Sequence, residues 1–163
     1  MDKSTRLSKT FAFEDFTPGR KLPFGPYSVR AEEIIEFARE FDPQPWHLDE
    51  EAGKASILGG LSASGWHICS MQMRMMFDAY IGDSTSQGAP GVDYCRWLRP
   101  VLAGDTLSGH TTVKTARLLA SRPGMGLVEF EHEMVNQRGE LVCTSANTAF
   151  LLLRHADENH ERA

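Results

Sequence analysis

The chain has 163 residues, 41% of them hydrophobic and 24% charged, with a formal net charge of -5 at neutral pH. That length and balance give one domain with a real core and exclude a disordered chain. The negative charge, with basic residues scattered and only Arg96 and Arg99 close together, excludes a phosphate-tracking nucleic-acid surface. The longest apolar run, "AFLLL", is far too short to cross a bilayer, so no membrane partner is expected. Cys69, Cys95 and Cys143 are odd in number, lie in apolar segments and show no metal-ligand spacing. They read as reduced core thiols of a cytoplasmic protein without a metal site.

Residues 1–10, "MDKSTRLSKT", are polar, carry no apolar signal segment and are expected to form a flexible tail. The next stretch, "FAFEDFTPGRKLPFGPYSV", has short apolar bursts cut by prolines and glycines and reads as a strand or two with turns. "AEEIIEFAREF" has helical spacing, with Ile34, Ile35, Phe37, Ala38 and Phe41 as its apolar stripe. Pro43 stops that helix and leaves Asp42 just past its last turn. A short helix follows, with Asp49 as N-cap. "SASGWHICSMQMRMMFDAYIG" predicts one long helix over residues 62–82, apolar around most of its circumference and so expected to be wrapped by other elements. Its methionines read as core filling.

Beyond Gly82 the period becomes two. "VDYCRWLRPVLAGDTLSGHTTVKTARLL" reads as two strands joined at the Ala103–Asp105 turn. "LVEFEHEMV" alternates Val128, Phe130, His132 and Met134 against three glutamates, and "NQRG" is a hairpin loop into the last strand. His110 and His132 have no partner at recognisable spacing. The residues after Arg154, 155–163, form a polar tail. One long helix against an antiparallel sheet is an α+β layer arrangement.

Two segments carry chemistry. In "DPQPWH", Asp42 and His47 stand five residues apart on a segment stiffened by Pro43 and Pro45. Two readings stand: an acid–base dyad held around one water, or a helix terminator beside a satisfied turn histidine. In "LGGLSASG", backbone N–H groups entering the long helix either bind a developing oxyanion or form a tight turn and cap. His67, in the first turn, has two readings, a second base or, favoured over it, a packed or capping histidine. There is no GxSxG, GxGxxG, Walker A, CxxC or HExxH pattern.

These residues resemble the hydratase signature of the MaoC-like dehydratases, the family of (R)-specific enoyl-CoA hydratases. Phe37-Ala38, Asp42, Pro45, His47 and Asp49 match its F-A-x-x-x-x-D-x-N-P-x-H-x-D pattern, and Gly65 follows at the family's spacing. "YCRWLRPVLAGDTL" resembles the family's F-x-x-P-x-x-x-G-D-T-L strand and turn. The likeness runs over residues 11–154. It implies the hot-dog fold, an antiparallel sheet wrapped around one long helix. It also implies syn addition or removal of water on an acyl-CoA type thioester. Asp42 and His47 would activate the water and the Gly65 N–H would polarise the thioester carbonyl, with no cofactor. Gln44 replaces the family's asparagine, and Ser64 replaces the histidine before the helix glycine. The acyl wall implied is Trp66, Met71 and Met75, with Tyr94 and Trp97 nearby, so Gln44, Ser64, Trp66 and Met71 are the expected substrate-side residues. A lone hot-dog sheet leaves an edge and an apolar flank, which implies a homodimer or higher homo-oligomer. Two rivals remain: a non-catalytic acyl-thioester binding subunit, and a thioesterase, for which the long helix offers only Asp78.

Overall fold

The computed structural model describes residues 9–155. Most of both expected tails, 1–10 and 155–163, lies outside these residues. Lys9 and Thr10 are tied to a turn near the end of the long helix, Lys9 Nζ donating to the Gly82 carbonyl at 2.8 Å and the Thr10 amide to Asp83 Oδ1 at 3.3 Å.

A 3-10 turn at Phe13–Asp15 leads into β1 (Lys21–Ser28). Four helices follow: α1 (Ala31–Phe41), α2 (Pro45–Leu48), α3 (Glu50–Ala55) and α4 (Gly65–Ala79). After a second 3-10 turn at Ile81–Asp83 come β2 (Gly91–Trp97), β3 (Thr106–Leu118), β4 (Met125–Val135) and β5 (Leu141–Leu152). All five strands join one antiparallel sheet in the order β1-β3-β4-β5-β2. Met71, Met75 and Met76 of α4 pack into the core with Leu107, Val113, Val128, Phe130 and Met134 of the sheet. This is the expected α+β hot-dog arrangement. Among the described residues no helix is long and apolar enough to cross a membrane.

Local chemistry accounts for the elements that carry the site. α1 has Glu32 and Glu33 in its first turn, where the helix dipole favours anions, and ends before Pro43. α2 is a single turn that the spacing did not predict as a helix; Pro45 supplies its first φ angle. Asp49 caps α3 by accepting the Ala52 amide at 2.9 Å. On β4, Val128, Phe130, His132 and Met134 are buried, as the alternation predicts.

Three expectations need correction. α4 starts at Gly65 and ends at Ala79, shorter than 62–82. The backbone just before it is spent on strand-like bonds: the Ala63 amide donates to the Val101 carbonyl at 2.8 Å and the Ala103 amide to the Leu61 carbonyl at 3.0 Å. α4 is also not wrapped on all sides, since the sheet covers one face and leaves Trp66, Met73 and Phe77 half exposed or more. Finally, His132 does have partners, supplied by neighbouring strands. Thr111 Oγ1 lies 2.9 Å from His132 Nδ1 and 2.9 Å from the Tyr80 hydroxyl, and His132 Nε2 lies 2.7 Å from Asn147 Oδ1. His110 faces Glu133 across the β3–β4 ladder, 3.0 Å apart. Burial lowers the pKa of His132 and keeps the ring neutral within this network.

The thiols, distant in sequence, converge where α4, β2 and β5 meet. Cys69 Sγ lies 3.6 Å from Cys95 Sγ, which lies 3.9 Å from Cys143 Sγ, and all three are free. Burial pushes the Cys69 thiol up to about 11, so it stays protonated at neutral pH.

α3 buttresses the segment entering α4 through a glycine contact. A Cβ at Gly53 would lie 2.3 Å from the Gly60 carbonyl oxygen. Gly53→Ala is therefore expected to force residues 60–62 away from α3 and cost roughly 1–3 kcal/mol in denaturant unfolding. An unchanged midpoint would show that this approach is not a packing constraint.

Candidate active site

The end of α1, the turn of α2 and the start of α4 meet at one place. The α1 C-cap presents Asp42 and α2 presents His47. His47 Nε2 lies 3.5 Å from Asp42 Oδ2, and His47 is 6% exposed. His47 Nδ1 is 2.6 Å from the Ser62 carbonyl. A carbonyl only accepts, so Nδ1 carries the proton and Nε2 is left with its lone pair in the neutral ring. Ser62 is held in turn by its amide, which donates to the Trp46 carbonyl at 3.3 Å, and by the neighbouring bonds to residues 101 and 103.

Both oxygens of Asp42 accept donors. The Ser64 hydroxyl donates to Oδ2 at 2.6 Å, and Gln44 Nε2 donates to Oδ1 at 2.7 Å. The Ser64 bond first, then Gln44 and the nearby imidazole, hold this carboxyl below the usual carboxylate range against the opposing effect of partial burial. Asp42 is thus ionised and oriented at neutral pH. The extra methylene of Gln44, relative to the asparagine of the resembling pattern, still lets its amide reach the carboxylate. Ser64 occupies the N-cap position of α4, yet its side chain makes no capping bond because it turns to Asp42. The first amides of α4, beginning with Gly65, therefore have neither an intrahelical acceptor nor a side-chain cap.

A pocket of about 250 Å³ opens beside this group, lined by Trp46, His47, Ser62, Gly65, Ile68 and Trp97 with Leu98 and Arg99 at its side. Gly65 is needed there for space: a Cβ would lie 2.6 Å from the Trp97 ring. Of the expected residues, Asp42, His47, Gln44, Ser64 and Gly65 come together. Trp66 and Met71 do not. Trp66 is 66% exposed, edge-on to Trp97 at 5.7 Å, because the first residue beyond Gly65 points outward from the helix. Met71 is 2% exposed in the core and borders a separate pocket with Tyr27, Phe37 and His67. His67 stacks on Phe37 at 4.7 Å, and burial lowers its pKa, matching a packed neutral histidine. Asp78 pairs with Arg74 at 3.0 Å on the exposed side of α4 and does not line the His47 pocket.

The Ser62 carbonyl and Trp46 are site groups that the sequence pattern does not single out. A backbone acceptor leaves no residue-type signal. Trp46 was visible only as the variable position before His47.

Removing the Ser64 hydroxyl is expected to raise the Asp42 pKa towards its ordinary value, read by carboxyl NMR titration of Ser64→Ala. The sign follows from linkage. A depressed folded pKa contributes stability above the unfolded value of about 3.9 and loses it as pH falls through the folded value, so the variant should lose part of that contribution. An unmoved Asp42 titration would mean that the Ser64 bond does not form in solution.

The family model for the MaoC like domain matches residues 14–132. A UPF0336 protein of Streptomyces griseus is 31% identical over 146 residues, covering 86% of this chain and 94% of its own. The MaoC-like dehydratase of Rhodospirillum rubrum superposes with a TM-score of 0.80 at 35% identity, covering 88% of this chain and 97% of its own. The (R)-hydratase PhaJ1 of Pseudomonas aeruginosa gives a TM-score of 0.69 at 20% identity over 88% of this chain and 86% of its own, a likeness of fold. By its sequence match and its architecture, the chain belongs to the MaoC-like dehydratase family, in the hot-dog fold.

Proposed function

We propose that the protein is a hydro-lyase that adds water to, or removes it from, the 2,3-bond of an acyl-CoA type thioester. One observation carries this reading: an ionised Asp42 lies 3.5 Å from the lone-pair nitrogen of His47, beside the pocket that Gly65 also lines. A water held by Asp42 gives a proton to His47 Nε2 as its oxygen bonds to the β-carbon. The electron pair of the double bond moves onto the thioester oxygen, and the Gly65 N–H stabilises the enolate. The proton then passes from His47 to the α-carbon, which closes a syn addition with every atom accounted for. The polarising group is a backbone amide, so the reaction as proposed uses no cofactor.

We also propose a homodimer. β2 is an edge strand with largely exposed side chains, Trp66 of α4 packs on Trp97 of β2, and Met73, Phe77, Val92 and Leu98 add exposed apolar surface. Sedimentation should give twice the 18.2 kDa chain mass, and Phe77→Glu should shift the population towards monomer. A monomeric wild type at micromolar concentration would contradict this.

The reaction is tested by following the ultraviolet absorbance of crotonyl-CoA and a panel of longer and branched enoyl-CoAs. Asp42→Asn and His47→Gln should each lower turnover by roughly 10²–10⁴, with similar losses because the two groups act as a unit. Near wild-type rates in either folded variant would remove the dyad assignment. A folded wild type inactive on the whole panel would leave an acyl-thioester binding subunit as the better reading.

A further inference from the structure

The lone pair of His47 is already occupied. The Trp46 indole N–H donates to His47 Nε2 at 3.1 Å, the two rings standing at 72° with centroids 6.0 Å apart. The same nitrogen must accept a proton from water for the reaction proposed above, so indole and water compete for one acceptor. Trp46 is only half buried, on a four-residue helix, and its ring forms part of the pocket wall. The pocket, about 250 Å³, is also below the usual range of about 300–1,000 Å³ for ligand sites.

We infer that Trp46 is a latch on the catalytic base: its indole holds Nε2 in the substrate-free protein, and an entering thioester turns the ring aside, freeing the lone pair for water and enlarging the pocket. This rests on the hydratase reading. The latch acts on neutral His47 alone, because a protonated Nε2 has no lone pair to offer. The charged groups facing His47 are Asp42 from the end of α1 and Arg99 from the segment after β2. Neither competes for that lone pair. Asp42 is itself an acceptor, and the His47 ring bonds to Trp46 and Ser62 rather than to Arg99. Protonation therefore exchanges the indole contact for the Asp42 ion pair.

The sign of the kinetic effect follows. A donor that must be displaced lowers kcat/KM only where His47 is neutral, and it does not act in the complex, where the ring has already moved. Trp46→Phe, which keeps an aromatic wall and removes the N–H, should raise kcat/KM for crotonyl-CoA above the acid limb by roughly two- to tenfold, the worth of one neutral hydrogen bond. Below the limb kcat/KM should match the wild type, so the limb itself moves to higher pH, while kcat changes much less. A merely structural tryptophan would lower kcat and kcat/KM together at every pH.

A second measurement needs no turnover and no variant that folds differently. In the 1H–15N spectrum of the wild type, the Trp46 indole signal, identified by its loss in Trp46→Phe, should move as the acid limb is crossed and on adding butyryl-CoA, a saturated thioester that cannot be hydrated. If Trp46→Phe yields no folded protein, Trp66→Phe and Trp97→Phe identify the signal by elimination. An indole signal indifferent to both pH and thioester overturns the latch even where crotonyl-CoA is hydrated. Absent turnover of every enoyl thioester overturns the hydratase reading instead, and the indole titration alone then decides whether the contact exists.

Discussion

The hydrogen bond from His47 Nδ1 to the Ser62 carbonyl, 2.6 Å long, is the constraint on which the rest of the site depends. It is buried, so leaving the carbonyl or the ring N–H unpaired would cost on the order of 1–3 kcal/mol. It also selects a tautomer. With Nδ1 committed as donor, the face of the ring towards Asp42 and the pocket is the basic one. A histidine at the same place bonded to a hydroxyl, which can donate or accept, would have had no such fixed polarity.

That bond needs a carbonyl in a set position, and the fold supplies it by an economy of backbone. Residues 61–63 bond to 101–103 as a short bridge, so they stay extended and α4 cannot begin before Gly65. The late start brings Ser64 to the helix entrance with its hydroxyl free to reach Asp42. The same late start leaves Gly65, the first residue of α4, lining the pocket. The positions of Asp42's hydroxyl partner, the His47 acceptor carbonyl and Gly65 are therefore set by one decision about where a helix begins, and the Gly53–Gly60 approach packs against that segment.

The long helix is where sequence and structure diverge most usefully. Apolar residues around most of its circumference suggest complete burial, yet Trp66, Met73 and Phe77 face outward on one chain. Periodicity reports which residues are apolar and says nothing about what covers them. The sheet covers one face and leaves the other exposed on a single chain. Likewise the three cysteines and the Tyr80–Thr111–His132–Asn147 chain bring together residues up to 74 positions apart, Cys69 to Cys143. No local spacing announces either group.

What the sequence determined by itself was local: α1 and its stop at Pro43, the Asp49 cap, the alternation of β4, and the stiff Asp42–His47 segment ahead of a glycine-opened helix. These depend on φ restrictions, capping and side-chain period, all of which act within a few residues. The tertiary structure alone decided the strand order β1-β3-β4-β5-β2 and the carbonyl that fixes the His47 tautomer. It alone placed the Ser64 hydroxyl on Asp42 and turned Trp66 and Met71 away from the pocket, where the sequence had grouped them with the site. Those outcomes depend on which backbone groups are left over once distant strands have paired, and that is settled only when the whole sheet closes on α4.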